Sequence, residues 1–377
     1  MKKLCYVATI PAVVHTFLRG HIQAAAEKYQ VTVICNPAGR HLLDGLDARC
    51  IFLPIERKPS PWKDALALFQ LVRLLRRERF DIVHSIMPKT GILAMLAAWT
   101  ADVPVRIHTF TGQVWATKHG MRRALLKWFD KLTGGLATCV LADSVSQRDF
   151  LVSAGVLPPG KAGVIGAGSI CGVDPLRFHP DPEARRAIRD ELGIARDARV
   201  ILFAGRLNRD KGIADLATAF GGIAEQHQDV ELLLAGAEED MPFARIREIC
   251  QASRDRLHYV SFTAAPERYM AAADIFCLPS YREGFGMTII EAAACGVPAV
   301  ASRIYGIIDA VADGKTGLLF PAGDAAALRL ALLKLLEDRD LRQQMGEAAR
   351  ARALELFSGH KITGEMLALY EQLLNRH

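Results

Sequence analysis

The sequence predicts an α/β protein made of two Rossmann-like, doubly wound parallel-sheet domains facing a cleft. Two observations point there. Short β-branched or apolar runs alternate with longer helical patterns along the whole chain, the signature of parallel βα units. Midway, the Pro158-Pro159-Gly160 turn and the Gly- and Pro-rich residues 166–182 interrupt that alternation, which then restarts. A length of 377 residues fits two or three domains at about 150 residues each. The predicted division is 1–180 for the first domain and 181–360 for the second, with the last helix, 361–377, crossing back onto the first.

The elements follow in order. In the first half, apolar runs at 4–9, 31–35, 49–53, 82–84, 105–110 and 139–142 read as strands. Helical patterns lie at 17–28, 62–78 and 121–133. The 62–78 segment sets Leu66, Phe69, Val72 and Leu75 at helical spacing, with Arg73, Arg76 and Arg77 near its C-terminus, where cations suit the helix dipole. Residues 10–16, between the first strand and the first helix, read as a loop. In the second half, strands are predicted at 199–204, 230–235, 257–262, 275–278, 297–301 and 317–320. Helices are predicted from 213, at 242–252, 265–272, 288–295 and 306–312, and from 325 onward.

Composition excludes several classes. With 51% hydrophobic residues and a net charge of only +6, the chain is no disordered polymer. Its eight cysteines form no C-x-x-C pair and sit mostly in apolar runs, as buried thiols do in a reducing compartment. The eleven histidines are scattered, so no metal-ligand cluster and no metal cofactor is expected. The Met1-Lys2-Lys3 start lacks a following small-x-small cleavage site, and the apolar stretch 91–99 is too short to span a bilayer. A cytoplasmic protein is expected. Charge is uneven, however. Residues 1–180 hold 23 Lys and Arg against 12 Asp and Glu, whereas residues 181–377 hold 24 against 29. The first half therefore suits an anionic partner.

Two loops carry chemistry. The strand at 199–204 ends in Gly205-Arg206-Leu207-Asn208-Arg209-Asp210-Lys211-Gly212 before a helix. A helix N-terminus beside Arg206 and Lys211 suits a diphosphate; the alternative is a solvated loop with surface cations. The strand at 275–278 ends in Pro279-Ser280-Tyr281-Arg282-Glu283-Gly284-Phe285-Gly286, and the helix after it carries Glu291. Glycines flanking Phe285 let backbone approach a ligand. The two carboxylates can each accept two hydroxyls, as a ribose or a sugar diol offers them. Alternatively, Glu291 is an acid favoured by the helix dipole and Glu283 a solvated loop residue.

These residues resemble glycosyltransferase family 4, retaining nucleotide-sugar transferases of the two-Rossmann GT-B fold. The matching segments are REGFGMTIIEAAACGVPAVAS with its Glu283-to-Glu291 spacing, FAGRLNRDKG, PERYMAAADIFCLPSYREGFG, DGKTGLLFPAGD and GVDPLRF. The resemblance spans essentially the whole chain. It implies that Arg206 and Lys211 hold the donor diphosphate beside Gly205, that Glu291 binds the ribose, and that Glu283 holds sugar hydroxyls. Gly284, Phe285, Gly286 and Met287 complete the implied donor site. The implied catalytic residues are Arg206, Lys211 and Glu283, with no metal and no cofactor beyond a UDP-sugar donor.

In the first half the chain departs from the commoner family pattern. No Gly-rich loop follows the first strand; His15 stands there instead. The stretch IHTFTGQVW offers His108, either a cleft residue or a core histidine, followed by Thr111, Gly112 and Gln113 as candidates for the acceptor side. Together with DIVHSIMPKTGILAMLAA, this wording resembles members that build bacterial O-antigen or capsule polysaccharides. Such members extend a sugar on a polyprenyl diphosphate at the inner face of the plasma membrane. Independently, residues 117–133 interleave Lys118, Arg122, Arg123, Lys127 and Lys131 with Met121, Leu125, Trp128 and Phe129. A basic amphipathic helix of that kind suits an anionic membrane surface; the alternative packs its apolar face on the sheet. Lys118 and Arg122 are also candidates to guide an acceptor diphosphate.

The expected activity is thus a metal-independent, retaining transfer of a hexose or N-acetylhexosamine from a UDP-sugar to a polyprenyl-diphosphate-linked saccharide, by an enzyme peripheral to the membrane. A soluble acceptor, or a UDP-sugar epimerase on the same fold, is the alternative. No nucleic-acid-binding motif is present.

Overall fold

The computed structural model describes residues 1–56 and 60–376. It divides into two compact units, one of residues 1–171 with 359–377, the other of residues 172–358. The division lies nine residues before the position expected from the turn-rich stretch. Pairing is the reason: the Val173 N–H donates to the Phe357 carbonyl at 2.7 Å, and the Arg177 guanidinium holds Glu267 at 2.9 Å.

The first unit is a seven-stranded parallel sheet in the order β3-β2-β1-β4-β5-β6-β7. Its first half runs β1 (Lys3–Val7), α1 (Pro11–Val13), α2 (Arg19–Ala26), β2 (Gln30–Cys35), β3 (Arg49–Phe52) and α3 (Pro61–Glu78). Then come β4 (Ile82–Ile86), α4 (Pro88–Thr100), β5 (Val105–Phe110), α5 (Gly120–Leu136), β6 (Cys139–Ala142), α6 (Val145–Ser153) and β7 (Ala162–Val164). Helices α3, α4 and α5 pack side by side. The core between them and the sheet includes Val83, Met95, Leu75 and Phe110.

The expected loop is instead helical from Pro11 onward. Pro11 starts α1, its fixed φ suiting the first helical turn. A π-helical turn at Val14–Leu18 then joins α1 to α2 and buries Val14 and Leu18. Helix α6 escaped the periodicity reading, although Ser144 caps the Gln147 N–H and spells a visible S-x-x-Q start.

The second unit has six parallel strands in the order β10-β9-β8-β11-β12-β13. It runs α7 (Pro182–Leu192), β8 (Arg199–Ala204), α8 (Ile213–Ala224), β9 (Val230–Ala235), α9 (Phe243–Ile249), β10 (Leu257–Val260) and α10 (Pro266–Ala272). β11 (Ile275–Leu278), α11 (Met287–Ala294), β12 (Ala299–Ser302), α12 (Ile307–Ala310), β13 (Gly317–Phe320), α13 (Ala325–Glu337) and α14 (Arg339–Leu356) complete it. Central strand β8 buries Val200, Ile201, Leu202 and Phe203 fully, as a parallel strand covered on both faces must.

The last helix, α15 (Gly359–Leu374), packs on α2 in the first unit. A buried polar network holds it there. The Tyr370 hydroxyl lies 2.7 Å from His84 Nδ1 and 2.9 Å from the Tyr6 hydroxyl, and His84 Nε2 meets the Thr109 hydroxyl at 2.8 Å. Burial pushes the His84 imidazole down to about 3, so it stays neutral and shares these bonds as a neutral ring.

Candidate active site

In the second unit, the chain leaves β8 toward β9 on one side and β11 toward β12 on the other. The carboxyl ends of these two adjacent strands therefore form a topological switch point, where open α/β sheets bind ligands. Both loops singled out from the sequence emerge there.

The first loop is tighter than a strand running straight into a helix. A 3₁₀ turn at Arg209–Lys211 intervenes, with the Asn208 side chain accepting from the Lys211 N–H at 3.0 Å. Gly212 then starts α8 at a φ of +68°. A Cβ there would lie 2.0 Å from the Pro279 carbonyl oxygen, so only glycine lets this loop close onto the second one. Three further contacts stitch the loops together. The Tyr281 N–H donates to the Asp210 carbonyl at 2.8 Å, Arg282 Nε donates to Asp210 Oδ2 at 2.8 Å, and Tyr281 Oη donates to Asp215 Oδ2 at 2.7 Å.

Each expected diphosphate cation already has a carboxylate. Lys211 Nζ is hydrogen-bonded to Glu283 Oε1, which also accepts from the buried Ser280 hydroxyl at 2.8 Å. Arg206 lies against Glu239 at 2.6 Å, and the Asn208 side-chain amide donates to the same Glu239 oxygen at 2.7 Å. Sequence reading missed Glu239. It sits just past the end of β9, some thirty residues from Arg206 in sequence, and comes beside it because β9 pairs with β8. The acidic run Glu238-Glu239-Asp240 after a strand was its only signal.

Glu291 stands in the second turn of α11 and keeps part of its surface exposed. Desolvation nevertheless pushes its carboxyl up to about 7; the charge of Arg177 opposes the shift and that of Glu267 reinforces it. Near neutrality this side chain is poised between acceptor-only carboxylate and hydroxyl-donating acid. The Phe285 ring turns inward and packs edge-on against Phe357 at 5.0 Å, so this segment offers a ligand its backbone and not the ring. Gly286 begins α11 in the left-handed region, Gly284 is buried, and Met287 keeps partial exposure.

In the first unit the candidates scatter. His15 is exposed, with Nδ1 3.1 Å from the Leu42 carbonyl. His108 is a correction to its cleft assignment: the ring is fully buried and touches no open surface. Its Nδ1 meets the Ser85 hydroxyl at 2.8 Å, its ring lies edge-on to Phe110 at 4.5 Å, and a Cβ on Gly91 of α4 would strike it at 2.4 Å. Strand alternation forces this, because Thr109 takes the opposite face toward His84. Burial pushes the His108 imidazole down to about 3.

Thr111, Gly112 and Gln113 do lie together past the end of β5. The Gln113 and Gln147 side-chain amides both donate to the Thr111 carbonyl at 2.7 Å. Gln147 also accepts from the Asp143 N–H at 2.7 Å, which brings a buried carboxyl into the cluster. Asp143 Oδ1 has no partner, and desolvation pushes this carboxyl up to about 8. Lys118 is half-buried before α5 and Arg122 is exposed on it. Arg123 and Lys127 instead lie over the Trp115 ring, whose Nε1–H donates to Asp130 at 2.7 Å. Among the described residues, no helix is long and apolar enough to cross a membrane.

Comparison with known proteins accounts for both units. Residues 15–168 match the Glycosyl transferase 4-like domain, and residues 184–352 match Glycosyl transferases group 1. The chain is 27% identical to the capsular polysaccharide biosynthesis glycosyltransferase CapM of Staphylococcus aureus, over 99% of this chain and 98% of that one. It is 29% identical to the UDP-Gal:alpha-D-GlcNAc-diphosphoundecaprenol alpha-1,3-galactosyltransferase of Escherichia coli, over 84% and 82%. Anabaena HepE, solved in complex with UDP, superposes with a TM-score of 0.81 at 20% identity, covering 98% of this chain and 100% of that one. With two parallel α/β sheets and both domain types present in order, the chain belongs to the family 4 glycosyltransferases of GT-B fold.

Proposed function

We propose that this glycosyltransferase moves a hexose or N-acetylhexosamine from a UDP-sugar, with retention, onto a polyprenyl-diphosphate-linked saccharide at the cytoplasmic face of the membrane. The observation that carries the donor half is the pairing of two cations with two carboxylates at the β8–β11 switch point. A diphosphate entering there takes Arg206 from Glu239 and Lys211 from Glu283. Glu283, released, accepts sugar hydroxyls, and Glu291 accepts the ribose hydroxyls. After the exchange Glu283 keeps the Ser280 hydroxyl and Glu239 keeps the Asn208 amide, so neither carboxylate is left without a hydrogen bond.

As the bond from sugar C1 to the diphosphate oxygen breaks, negative charge grows on the leaving UDP beside these two cations. The acceptor hydroxyl forms its bond to C1 from the same face, and its proton passes to the leaving diphosphate oxygen. Arg206 and Lys211 supply the charge that a metal ion supplies in other transferases. The first unit, through Thr111, Gly112 and Gln113 with Lys118 and Arg122, takes the acceptor. Support for the two substrates comes from the E. coli relative, whose name couples UDP-galactose to a diphosphoundecaprenol acceptor, and from the UDP bound to the Anabaena protein.

The test is UDP release from a panel of UDP-sugars, with and without extracted polyprenyl-diphosphate sugars, in the presence of a chelator. Release that requires the lipid pool and tolerates the chelator is expected. Release without that pool indicates a soluble acceptor; loss of UDP-sugar to an isomer without release indicates an epimerase.

A further inference from the structure

The helices that cover one face of the first unit's sheet leave large apolar side chains in solvent. On α3, Trp62, Leu66 and Phe69 form one stripe at i, i+4 and i+7, with Trp62 89% and Phe69 64% exposed. On α5, Met121, Leu125 and Trp128 repeat that spacing, Met121 at 88% and Trp128 at 55%. Helix α4 packs between them and exposes Trp99 by 55% at its C-terminal end. The inward faces are already satisfied by the core, through Ala67, Leu71 and Leu75 of α3 and Leu126 of α5. So the outward stripes are apolar surface that the unit's own core does not use, and clustered exposed aromatics of this kind mark interaction sites.

Charge says what covers it. The three helices carry nine Lys and Arg against three carboxylates. Each carboxylate is already engaged: Asp64 with Lys89, Glu78 with Arg49 and Arg77, and buried Asp130 with Trp115. Arg73 and Arg76 continue the α3 face, and Arg122 and Lys131 flank the α5 stripe; all four are exposed. Lys63 is held by Glu56 at 2.8 Å, but exposed Trp and Phe beside Arg73, Arg76, Arg122 and Lys131 match an anionic lipid interface, where indole rings seat at the headgroups and cations meet phosphate.

We infer that α3, α4 and α5 together form a monotopic docking platform for an anionic bilayer, with Trp62, Phe69, Trp99 and Trp128 seated in the headgroup layer. The platform is wider than the single basic helix at 117–133. It deepens the lipid-linked-acceptor reading and rests on it for its purpose, since docking brings the first unit to where such an acceptor lies.

The experiment uses the full chain and vesicles of phosphatidylcholine with or without about a third phosphatidylglycerol. Wild type is expected to float with the anionic vesicles, with a blue shift of tryptophan emission that shrinks in Trp62→Phe. The paired variants Trp62→Glu/Phe69→Glu and Leu125→Glu/Trp128→Glu are each expected to lower the bound fraction by about tenfold or more. Undiminished binding of the α3 pair would overturn the platform, as would equal binding to neutral vesicles. Failure of wild type to bind, with self-association that the α3 pair abolishes, would overturn it in favour of a second copy of the chain. Wild type that floats but transfers no sugar to detergent-solubilised lipid acceptor would sink the acceptor reading and leave the platform standing.

Discussion

Lys211 and Glu283, 72 residues apart in sequence, are hydrogen-bonded to each other across two adjacent βα loops. The residue expected to grip the donor's diphosphate and the residue expected to hold its sugar are thus partners before any donor arrives. Each keeps the other's charge compensated in a half-buried site. Binding becomes an exchange of partners, which sets several expectations.

Lys211→Ala removes the cation paired with Glu283 and leaves that carboxylate the Ser280 hydroxyl. Turnover is expected to fall about 100-fold, the usual loss when a charge-stabilising group is deleted. Steady-state kinetics on the best UDP-sugar check it, and a fall confined to KM would mean that Lys211 binds donor and transition state equally.

Glu239→Gln frees Arg206 while leaving an amide oxygen for Asn208. The Arg206–Glu239 pair is partly exposed and weak, so releasing it is expected to tighten donor KM by no more than about fivefold. Turnover should stay unchanged. A weaker KM would show that Glu239 positions Arg206 instead of competing for it.

Glu291 brings a pH dependence. Desolvation pushes its carboxyl up to about 7, and only the ionised form presents both oxygens purely as acceptors to the ribose hydroxyls proposed to bind there. Donor KM is therefore expected to drop by about tenfold between pH 6 and pH 8, as ionisation completes. Glu291→Gln should flatten that profile at a weaker KM.

Asp143 bears on stability. Its carboxyl holds a proton up to about 8 in the folded protein but loses it near the ordinary carboxylate range when unfolded. Between those limits the folded state binds more protons, so the group's contribution falls as pH rises and is fully lost above about 8. Asp143→Asn removes the slope. In calorimetry its Tm advantage over wild type should grow from pH 5 to pH 8, reaching about 2 °C or more.

Tyr370→Phe tests the anchor of α15. It deletes two buried contacts and leaves His84 Nδ1 and the Tyr6 hydroxyl short of a partner. A loss of about 1–3 kcal/mol is expected in denaturant unfolding. A loss below that range would mean that α15 is held by its apolar face alone.

The sequence by itself determined the two parallel-sheet domains and both loops of the candidate site. Apolar periodicity is written locally, and Gly205–Gly212 and Pro279–Gly286 are continuous segments whose residue types state their chemistry. That Arg122, Arg123, Lys127 and Lys131 share one helix with Trp128 was also legible, because apolar and basic residues alternate there at helical spacing. Pairings were not. Which carboxylate meets which cation depends on the order β10-β9-β8-β11-β12-β13, which sets the loop after β9 beside Arg206 and the loop after β11 beside Lys211. Facing was not legible either. The sequence left His108 open between cleft and core, and only the register of β5 against β4 turned it under Gly91. Leu66, Phe69, Val72 and Leu75 read as one set at helical spacing, yet the core takes Val72 and Leu75 and leaves Leu66 and Phe69 in solvent beside Trp62. Neighbours in space come from strand order and helix rotation, properties of the whole packed chain that no local window of residues contains.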